Sequence, residues 1–400
     1  MSMRVRVLLS LVVVTATLLL AHCGHYTCGA TFGNSSCSAS GSGLGVNGGG
    51  STISAGNAAM LVYFGDGLEA AGFGGSSFAS LASYTAPTLS GNAADQMTIV
   101  NKTFLYVPTG GTTIGAFNIT RSSGALTPIT GSPFTVSGAF GTADGAWSDP
   151  KGRFLFVGSE GGANIWSFTI DQTTGALTPT PGIGVFTGLS SADIMTVDAS
   201  GKYLYVGQGF SSSGVAAFSI NQNTGDLTPI PGSPFNLGVA QIHASLTGEF
   251  LLGVQQIQDA GSATDQHIYV FSINPNTGVP TAVTGSPFAT ASAPLDFAIS
   301  PNGNFVYTFG TSVGGGTLGP IEGFQIDSTT GALTSLSGSP FGGLSTTSGC
   351  YFDQSGAYMA CIDLLFGQKM FVLGASTSTG ALTNAASNSV DVNFPFAVTD

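Results

Sequence analysis

Three aspartates and one histidine are the residues of this sequence best suited to chemistry. Asp144, Asp193 and Asp296 each fall at the predicted opening of a strand, and His243 falls in a comparable stretch. Carboxylates that converge on one opening can bind a cation or sugar hydroxyls, and a histidine beside them can act as a general base. The alternative is structural: aspartates often cap turns and strand ends, and a histidine can serve as a hydrogen-bonded structural residue. Both interpretations stay open.

Other chemical motifs are missing from the sequence. It contains no calcium loop, zinc-ligand spacing, phosphate-binding loop or nucleophile elbow, so we predict neither a metal nor a cofactor. The formal net charge of −12 repels nucleic acid, and no basic patch offsets it. We therefore expect no nucleic-acid partner; the expected partner is a neutral or cationic small molecule, a glycan or a protein.

Residues 1–22 have the pattern of a signal peptide. Arg4 and Arg6 precede the apolar run Val7–Ala21, which is short for a membrane-spanning helix. The run ends at His22 and Cys23, which resembles the cleavage site of a bacterial lipoprotein, where the cysteine is lipidated. His22 departs from the small residue usual at that place, so the lipid-anchored and the unmodified forms both stay open. We predict export to the cell envelope or beyond it, with membrane contact only through this anchor.

Removal of this leader would sharpen the charge of the chain. Two of the eight Lys and Arg residues leave with it while all 20 Asp and Glu remain, which takes the formal charge from −12 to −14. The next segment, 23–57, is rich in Gly and Ser and is predicted to be a flexible tether. The single folded domain is then 58–400, which we expect to be a monomer.

A turn of the type TGALT repeats along this domain and sets its period. Its glycine occurs at Gly124, Gly175, Gly225, Gly278, Gly331 and Gly380. A period near fifty residues with strand-like content is typical of a β-propeller, in which each unit forms one four-stranded antiparallel blade. No window carries a helical period of useful length, so a helical solenoid is excluded.

One unit shows how the strands are predicted. The four strands are Leu295–Ser300, Phe305–Phe309, Ile321–Ile326 and Ala332–Phe341. Between the third and the fourth, Asp327 is expected to cap the turn through its side chain, and Gly331 to adopt the positive φ that a Cβ opposes. The unit therefore contains all the strands of one blade.

The motif Gly-Ser-Pro-Phe recurs at 131–134, 232–235, 285–288 and 338–341. Proline cannot donate to a strand ladder, so the motif belongs on the outer edge strand of a blade. Its phenylalanine is predicted to pack between neighbouring blades. Ligand binding is the alternative, but a feature repeated in several units more often serves the repeat itself.

Two fragments at the ends of the domain complete the ring. Six units cover 92–390, residues 393–400 match the opening strand of a unit, and 58–90 match its second to fourth strands. Joined, the fragments make a seventh blade shared by both termini, which removes the open sheet edges of the ring. The predicted fold is therefore an all-β, seven-bladed propeller of four-stranded antiparallel blades, closed by its N- and C-terminal strands.

Two cysteines of the folded region flank one predicted hairpin. Cys350 and Cys361 lie on either side of Ser355-Gly356, which would place them opposite each other on adjacent strands. They form either a disulfide or a pair of buried thiols. Cys28 and Cys37, in the tether, are a further pair whose bridging the sequence leaves open.

The strand motifs resemble a known family. "YLYV" at 203–206, "FSIN" at 218–221 and "TGDLTPIPGSPF" at 224–235 are similar to blades of the lactonase family of seven-bladed propellers. This family includes 6-phosphogluconolactonase-like proteins and many exported bacterial paralogues, and the resemblance covers about 58–400. It implies a seven-bladed fold and suggests hydrolysis of a lactone ring as an activity.

The residues for that activity match less well. The mature chain has only two arginines, Arg121 and Arg153, both in predicted turns, whereas a phosphorylated lactone would need a cationic clamp. We therefore expect an envelope protein that binds a ligand or a partner at Asp144, Asp193, Asp296 and His243. The alternative is a hydrolase of an uncharged lactone or ester with His243 as its catalytic residue.

Overall fold

The structure is a computed structural model. It describes residues 58–64, 69–75, 78–83, 96–136, 142–160, 162–180, 184–192, 194–208, 214–247, 249–255, 265–311, 319–345, 349–363, 369–385, 390–391 and 396–399. The regular elements of these ranges are β-strands. The described part of the chain has no helix that is long and apolar enough to cross a membrane. The predicted signal peptide, Cys23 and the tether lie outside the described residues.

The strands are named in chain order and grouped by blade. The N-terminal strands are β1 (Met60–Phe64), β2 (Glu69–Phe73) and β3 (Phe78–Ser83). Blade 1 contains β4 (Thr98–Val100), β5 (Phe104–Pro108), β6 (Thr113–Thr120), β7 (Ala125–Pro128) and β8 (Phe134–Thr135). Blade 2 contains β9 (Thr142–Ser148), β10 (Phe154–Glu160), β11 (Asn164–Ile170), β12 (Leu177–Pro179) and β13 (Val185–Phe186). Blade 3 contains β14 (Ile194–Val197), β15 (Tyr203–Gly207), β16 (Ala216–Ile220) and β17 (Leu227–Pro229).

The remaining blades follow the same plan. Blade 4 contains β18 (Gln241–Ala244), β19 (Phe250–Val254), β20 (His267–Ile273), β21 (Pro280–Ala282) and β22 (Phe288–Ala289). Blade 5 contains β23 (Ala293–Ile299), β24 (Phe305–Thr311), β25 (Pro320–Ile326), β26 (Leu333–Ser335) and β27 (Phe341–Ser345). Blade 6 contains β28 (Cys350–Phe352), β29 (Tyr358–Asp363), β30 (Lys369–Ala375), β31 (Leu382–Asn384) and β32 (Val390–Asp391). The last strand is β33 (Phe396–Thr399).

The described strands form seven antiparallel sheets, which confirms the predicted propeller of seven blades. In each sheet the first strand of the unit lies at one end of the strand order. These first strands, here called the inner strands, are β33, β4, β9, β14, β18, β23 and β28, and each borders the inner strands of the two neighbouring blades. The inner strands therefore line the axis of the ring.

Blade 7 is the shared blade predicted from the two terminal fragments. Its strand order is β3-β2-β1-β33, and β33 pairs with β1 in the register Val62↔Val398. β33 thus supplies the inner strand that residues 58–90 lack. The closure is confirmed, and it gives the N-terminal strands a partner that would otherwise be an open edge.

The fourth strand differs from the prediction. Ala332–Phe341 was expected to be one continuous strand, but in blade 5 it is two short strands, β26 and β27, which both pair with β25. Between them Gly338 has a positive φ, and Ser339 Oγ accepts a hydrogen bond of 3.0 Å from the backbone N–H of Gly323. A proline without an N–H and a glycine in a left-handed conformation interrupt the ladder, and the serine hydroxyl takes over the pairing.

The hydrophobic core lies between blades. One cluster joins Tyr106 and Ile114 of blade 1 to Leu155 and Phe168 of blade 2, and similar clusters occupy the other boundaries. The phenylalanines of Gly-Ser-Pro-Phe pack against these clusters, as predicted. Each blade is therefore stabilised by its neighbours, and the ring holds its inner strands in fixed positions.

Candidate ligand-binding site on the inner strands

His243 and Asp296 meet on the inner strands of blades 4 and 5. His243 Nε2 lies 3.6 Å from Asp296 Oδ1, and the two side chains are 33% and 11% exposed. The His243 and Phe297 rings meet edge to face, with centroids 4.9 Å apart and planes at 83°. The aromatic contact and the carboxylate together fix the orientation of the histidine, while part of its surface stays open to solvent.

A bulge in β23 positions Asp296. The pairing of β23 with β24 shifts between Pro294 and Asp296, so that Leu295 is the extra residue. Proline has no N–H to donate, which favours an irregular ladder at this point. β23 begins at Ala293, two residues earlier than predicted, and Asp296 therefore lies inside the strand instead of at its opening. Its Oδ1 also accepts a hydrogen bond of 2.8 Å from the N–H of Phe297.

The glycine that directly precedes the inner strand of blade 6 completes the surroundings of Asp296. A Cβ at Gly349 would lie 3.3 Å from Asp296 Oδ2 and 3.0 Å from Tyr351 Cε2. The missing side chain thus lets the carboxylate and the tyrosine ring approach the same point. We call His243, Asp296, Gly349 and Tyr351 the inner-strand cluster; it spans three consecutive blades.

Gly349 and Tyr351 were not predicted as site residues. A signal for Tyr351 was present, however: His243 precedes the hairpin residue Ser245 by two positions, and Tyr351 precedes Asp353 by two positions. The equivalent residue of blade 3 is Thr196, whose Oγ1 accepts a hydrogen bond of 2.9 Å from the N–H of Ala244. Alignment of the hairpins would therefore have placed these side chains at one level around the axis.

A disulfide bond lies next to this cluster. β28 and β29 pair with Cys350 directly opposite Cys361, and the two sulfur atoms are 2.10 Å apart. Of the two alternatives that the sequence left open, the structure has the bridged form. Cys350 stands between Gly349 and Tyr351 in the chain, so the bond ties the backbone of the cluster to the second strand of blade 6.

Asp144, one of the other two predicted aspartates, does not join the cluster. Asp144 is buried on β9 of blade 2, where its Oδ2 accepts a hydrogen bond of 2.7 Å from Thr142 Oγ1. β9 borders β4 and β14, and not the inner strands that carry His243 and Asp296. Asp193 lies outside the described residues. Of the three predicted residues that the structure describes, it thus brings together two, His243 and Asp296.

The described basic side chains lie in turns or are committed to other partners. Arg153 pairs with Asp149 at 3.0 Å, and its NH2 also donates to Gln222 Oε1. Arg121 donates to the carbonyl of Ala58 at 2.8 Å. Lys102, Lys151 and Lys202 occupy the hairpins that connect first and second strands. The charged group beside His243 is therefore the carboxylate of Asp296, which favours a neutral or cationic ligand over an anion.

A second histidine–aspartate pair lies on the outer part of blade 4. His267 Nδ1 is 2.7 Å from Asp265 Oδ1, and the hydroxyl of Tyr269 donates to Asp265 Oδ2 at 3.2 Å. Burial and the neighbouring Asp265 carboxylate raise the pKa of Tyr269. Within the described ranges, no group of three or more His, Cys, Asp or Glu side chains is arranged to hold a metal ion.

The inner-strand cluster has the groups that small polar ligands need. A carboxylate accepts hydrogen bonds from hydroxyls or pairs with a cation, and a histidine can donate, accept or move a proton. A tyrosine ring beside them offers an apolar surface to the face of a sugar ring. The cluster can therefore bind a polyhydroxylated ring, and His243 can activate a water molecule.

Comparison with known proteins identifies relatives of this chain. The family model "Lactonase, 7-bladed beta-propeller" matches residues 111–234, 157–256 and 233–346, which together cover more than half of the chain. Among curated protein sequences, none matches this chain.

Solved structures share the fold. A candidate 6-phosphogluconolactonase from Bacteroides fragilis superposes with a TM-score of 0.63 at 17% identity, over 85% of this chain and 97% of that one. Its counterpart from Bacteroides uniformis gives a TM-score of 0.65 at 14% identity, over 85% and 98%. The periplasmic gluconolactonase of Pseudomonas aeruginosa gives 0.58 at 13% identity, over 85% and 98%. At these identities the likeness concerns the fold.

Proposed function

This chain belongs to the lactonase family of seven-bladed β-propellers, and we propose that it binds a small neutral or cationic ligand at the inner-strand cluster. The observation that carries this proposal is the contact of His243 Nε2 with Asp296 Oδ1 at 3.6 Å, between two adjacent inner strands. A sugar or its lactone has the hydroxyl donors that such a carboxylate accepts. A glycan or a peptide with a cationic group fits the same chemistry.

The charge of Asp296 argues against a phosphorylated ligand. The buried carboxylate of Asp296 repels a phosphate. Both described arginines, which could have offset this repulsion, are held by other partners. The acidic charge of the whole chain also slows the approach of an anion. We therefore expect discrimination between a sugar lactone and its phosphorylated counterpart in favour of the uncharged form.

Calorimetric titration of the purified protein with D-glucono-1,5-lactone, and with the stable 6-phosphogluconate as the anionic probe, tests this proposal. We expect binding of the neutral probe, and a loss of about tenfold or more in affinity for Asp296→Asn, because a charge-assisted hydrogen bond contributes on the order of 1.5–3 kcal/mol. Asp144→Asn is the matched control, since that buried aspartate lies on blade 2. Equal affinity of wild type and Asp296→Asn would contradict the proposal.

Hydrolysis of an uncharged lactone is the second candidate function. His243 held by Asp296 could take a proton from water as the water oxygen attacks the lactone carbonyl. The ring C–O bond then breaks, and the departing alkoxide takes up the proton to give the open hydroxy acid. A protein similar in fold is the gluconolactonase of Pseudomonas aeruginosa, which makes this class of substrate the first to assay.

Continuous measurement of acid release from D-glucono-1,5-lactone separates the two functions. A hydrolase exceeds the spontaneous rate, loses this excess in His243→Gln, and keeps it in His267→Gln, because His267 lies on the outer part of blade 4. A binding protein leaves the spontaneous rate unchanged in all three forms. For 6-phosphogluconolactone we expect no turnover above the spontaneous rate.

We also propose that the chain is exported and anchored by a lipid on Cys23, after removal of residues 1–22. This rests on the basic and apolar pattern of the leader and on the cysteine that follows it. Mass spectrometry of the envelope fraction is expected to show an acylated N-terminal Cys23, and Cys23→Ser should release the propeller into the soluble fraction. An intact leader or an unmodified Cys23 would contradict the anchor.

A further inference from the structure

A buried carboxylate on the third strand of blade 5 has no counterpart in the equivalent position of blades 1 to 4 and 6. Glu322 on β25 is 5% exposed. Counted back from the residue that opens the outer turn, Asp327 in blade 5, the equivalent residues are Gly115, Trp166, Ala216, Tyr269 and Phe371. Burial of a charge costs stability unless the charge is well hydrogen-bonded. A charged residue that one unit alone carries at this position serves that unit and not the repeat.

The Glu322 carboxylate binds the segment that leads into the inner strand of blade 5. Its Oε2 accepts a hydrogen bond of 2.7 Å from the N–H of Ala291. Its Oε1 accepts two bonds from Ser292, one of 3.0 Å from the N–H and one of 2.9 Å from the hydroxyl. The carbonyl of Ala291 accepts a further bond of 2.8 Å from Gln266 Nε2. Three donors from one segment thus compensate the buried charge.

The bound segment leads into the bulge that presents Asp296. Ala293 and Pro294 pair with β24 one residue out of step with the pairing of Asp296 and the residues after it. One strand keeps two registers only if both are held in place, and Pro294 has no N–H with which to hold the upper one. Ser292 directly precedes Ala293, so its two bonds to Glu322 fix the upper register.

Glu322 also lies in the layer of side chains that supports His243. Phe297, Thr308 and Glu322 are direct cross-strand neighbours on β23, β24 and β25, so their side chains share one face of the sheet. Phe297 packs in the hydrophobic cluster between blades 4 and 5, and its ring meets the ring of His243. The carboxylate therefore stands beside the supports of both members of the His243–Asp296 pair.

We propose that Glu322 is a positioning residue for the inner-strand cluster. Its carboxylate holds the start of β23 so that the bulge presents Asp296 to His243. This inference rests on the ligand site proposed above, and it adds a residue that contacts neither the ligand nor the reacting atoms.

The substitution Glu322→Gln shows why the charge is needed. The amide turns one acceptor into an NH2 group, and this group would face the N–H of Ala291, where two donors cannot remain 2.7 Å apart. β25 is paired on both sides, whereas β23 is the end strand of its sheet. The segment before β23 is therefore the part that moves.

Nuclear magnetic resonance of the full chain without ligand tests this inference. Histidine is labelled with ¹³C at Cε1, and the His243 signal is identified by its absence from His243→Gln. In Glu322→Gln we expect this signal to shift, while the indole N–H signals of Trp147 and Trp166, both in blade 2, keep their positions. Ser292→Ala removes one of the three bonds and should shift the His243 signal less. It gives a second reading if Glu322→Gln fails to fold.

Thr308→Val is the matched control for these variants. Thr308 Oγ1 is buried without a hydrogen-bond partner in the part of the chain that the structure describes, and valine keeps the shape of this neighbour of Glu322. The His243 signal should therefore stay in place in Thr308→Val. An unmoved His243 signal in the folded Glu322 or Ser292 variant, a joint shift of the histidine and tryptophan signals, or an equal shift in Thr308→Val would each overturn the inference.

Calorimetric titration with D-glucono-1,5-lactone separates this inference from the proposed function. We expect Glu322→Gln to lose about tenfold in affinity, because misplacement of a functional group by about 1 Å can cost on the order of a hundredfold. The loss should vanish in the Asp296→Asn background, since Glu322 acts through Asp296. Additive losses would overturn the inference. A wild type that does not bind the lactone contradicts the proposed function instead, and the His243 signal then decides the role of Glu322.

Discussion

The outer parts of the blades repeat the same contacts, whereas the inner strands differ from blade to blade. At the outer turn, a Cβ on the repeat glycine would lie 2.4–2.8 Å from the first aromatic residue of the second strand of the preceding blade. The pairs are Gly175 with Phe104, Gly225 with Phe154, Gly278 with Tyr203, Gly331 with Phe250, and Gly380 with Phe305. These glycines have positive φ values, so both the conformation and the space exclude a side chain.

In blades 2 to 6, the residue that opens the hairpin after the inner strand donates its backbone N–H across the hairpin; it is Asp149, Asp198, Ser245, Ser300 or Asp353. The position two residues before it carries a different side chain in each of these five blades. It is Trp147 in blade 2, Thr196 in blade 3, His243 in blade 4, Ala298 in blade 5 and Tyr351 in blade 6. A repeated residue with a repeated contact serves the stacking of blades, while a position that varies among equivalent units is free to form a site. The comparison therefore separates the scaffold from the candidate site.

The largest effect is expected at the repeat glycine. In Gly331→Ala the new Cβ would meet the Phe250 ring at 2.7 Å in a left-handed backbone conformation of φ +73. We expect the free energy of unfolding to fall by about 3 kcal/mol, from backbone strain and overpacking together. Urea denaturation followed by tryptophan fluorescence measures it.

Gly238→Ala is the matched control for this substitution. Gly238 has a φ of +71, and no atom lies within 4 Å of the point where its Cβ would stand, so only the backbone strain applies. We expect a loss of about 1 kcal/mol. Equal losses in the two variants would show that the contact with Phe250 does not hold the blades together.

A smaller effect is expected at the tyrosines that join some of the blades. Tyr205 donates a buried hydrogen bond of 2.7 Å to the carbonyl of Gly278 in the next blade, and Tyr106 and Tyr307 make the same bond to Gly175 and Gly380. Tyr205→Phe should lower the free energy of unfolding by about 1–2 kcal/mol. Thermal unfolding of both forms at neutral pH measures the difference.

The same tyrosines make stability depend on alkaline pH. Burial raises the pKa of Tyr205 above its usual value near 10, so the folded form stays neutral while the unfolded form ionises. The stabilisation by the neutral Tyr205 hydroxyl is present below about pH 10 and is lost as the pH rises further. The difference in the free energy of unfolding between wild type and Tyr205→Phe should therefore narrow above pH 10. A stability difference that widens above pH 10 would contradict the raised pKa of Tyr205.

Blade 2 offers the reciprocal change. Phe156 occupies the place of Tyr205, two residues after the aromatic residue that contacts the next repeat glycine. Phe156→Tyr is expected to add a hydrogen bond to the carbonyl of Gly225 and to stabilise the protein by up to about 1 kcal/mol. Destabilisation would show that the blade boundaries are not equivalent.

The smallest effect is expected at the turn aspartate. Asp327 Oδ1 accepts hydrogen bonds from the N–H groups of Thr329 and Thr330 at 2.9 and 2.8 Å, and these bonds lower its pKa. The stabilisation of the turn by the ionised Asp327 carboxylate is therefore present above the unfolded pKa near 4. It is lost as the pH falls through the lower pKa of the folded protein. Asp327→Asn should be close to neutral at pH 7, because Asn274 accepts the same bonds in blade 4.

Asp327→Ala is the comparison for that substitution, since it removes both bonds. It should lower the unfolding midpoint more than Asp327→Asn at pH 7, and the difference between wild type and Asp327→Ala should shrink as the pH falls below the unfolded pKa near 4. Equal midpoints for the alanine and asparagine forms at pH 7 would show that the side chain does not support the turn.

The fold was predicted from local patterns because the repeat is local. The turn at Asp327–Gly331 and the strand predicted over Phe305–Phe309 follow from side-chain capping, positive φ and β-branched or aromatic residues within one unit. The two terminal fragments indicated ring closure, and β33 occupies the predicted place. The break between β26 and β27 was missed, because the strand pattern does not show that the Ser339 hydroxyl accepts a hydrogen bond from Gly323, 16 residues earlier in the same blade.

The sequence by itself determined the number of blades, their strand order and the residues that stack them, because these depend on turn sterics and on a period of about fifty residues. Only the tertiary structure decided that His243 meets Asp296 and that Gly349 leaves room for both Asp296 and Tyr351. These residues come from three blades, and their approach depends on a bulge at Leu295 and on how the closed ring sets adjacent inner strands side by side. Contacts of that kind are set by packing between units, which no single repeat encodes.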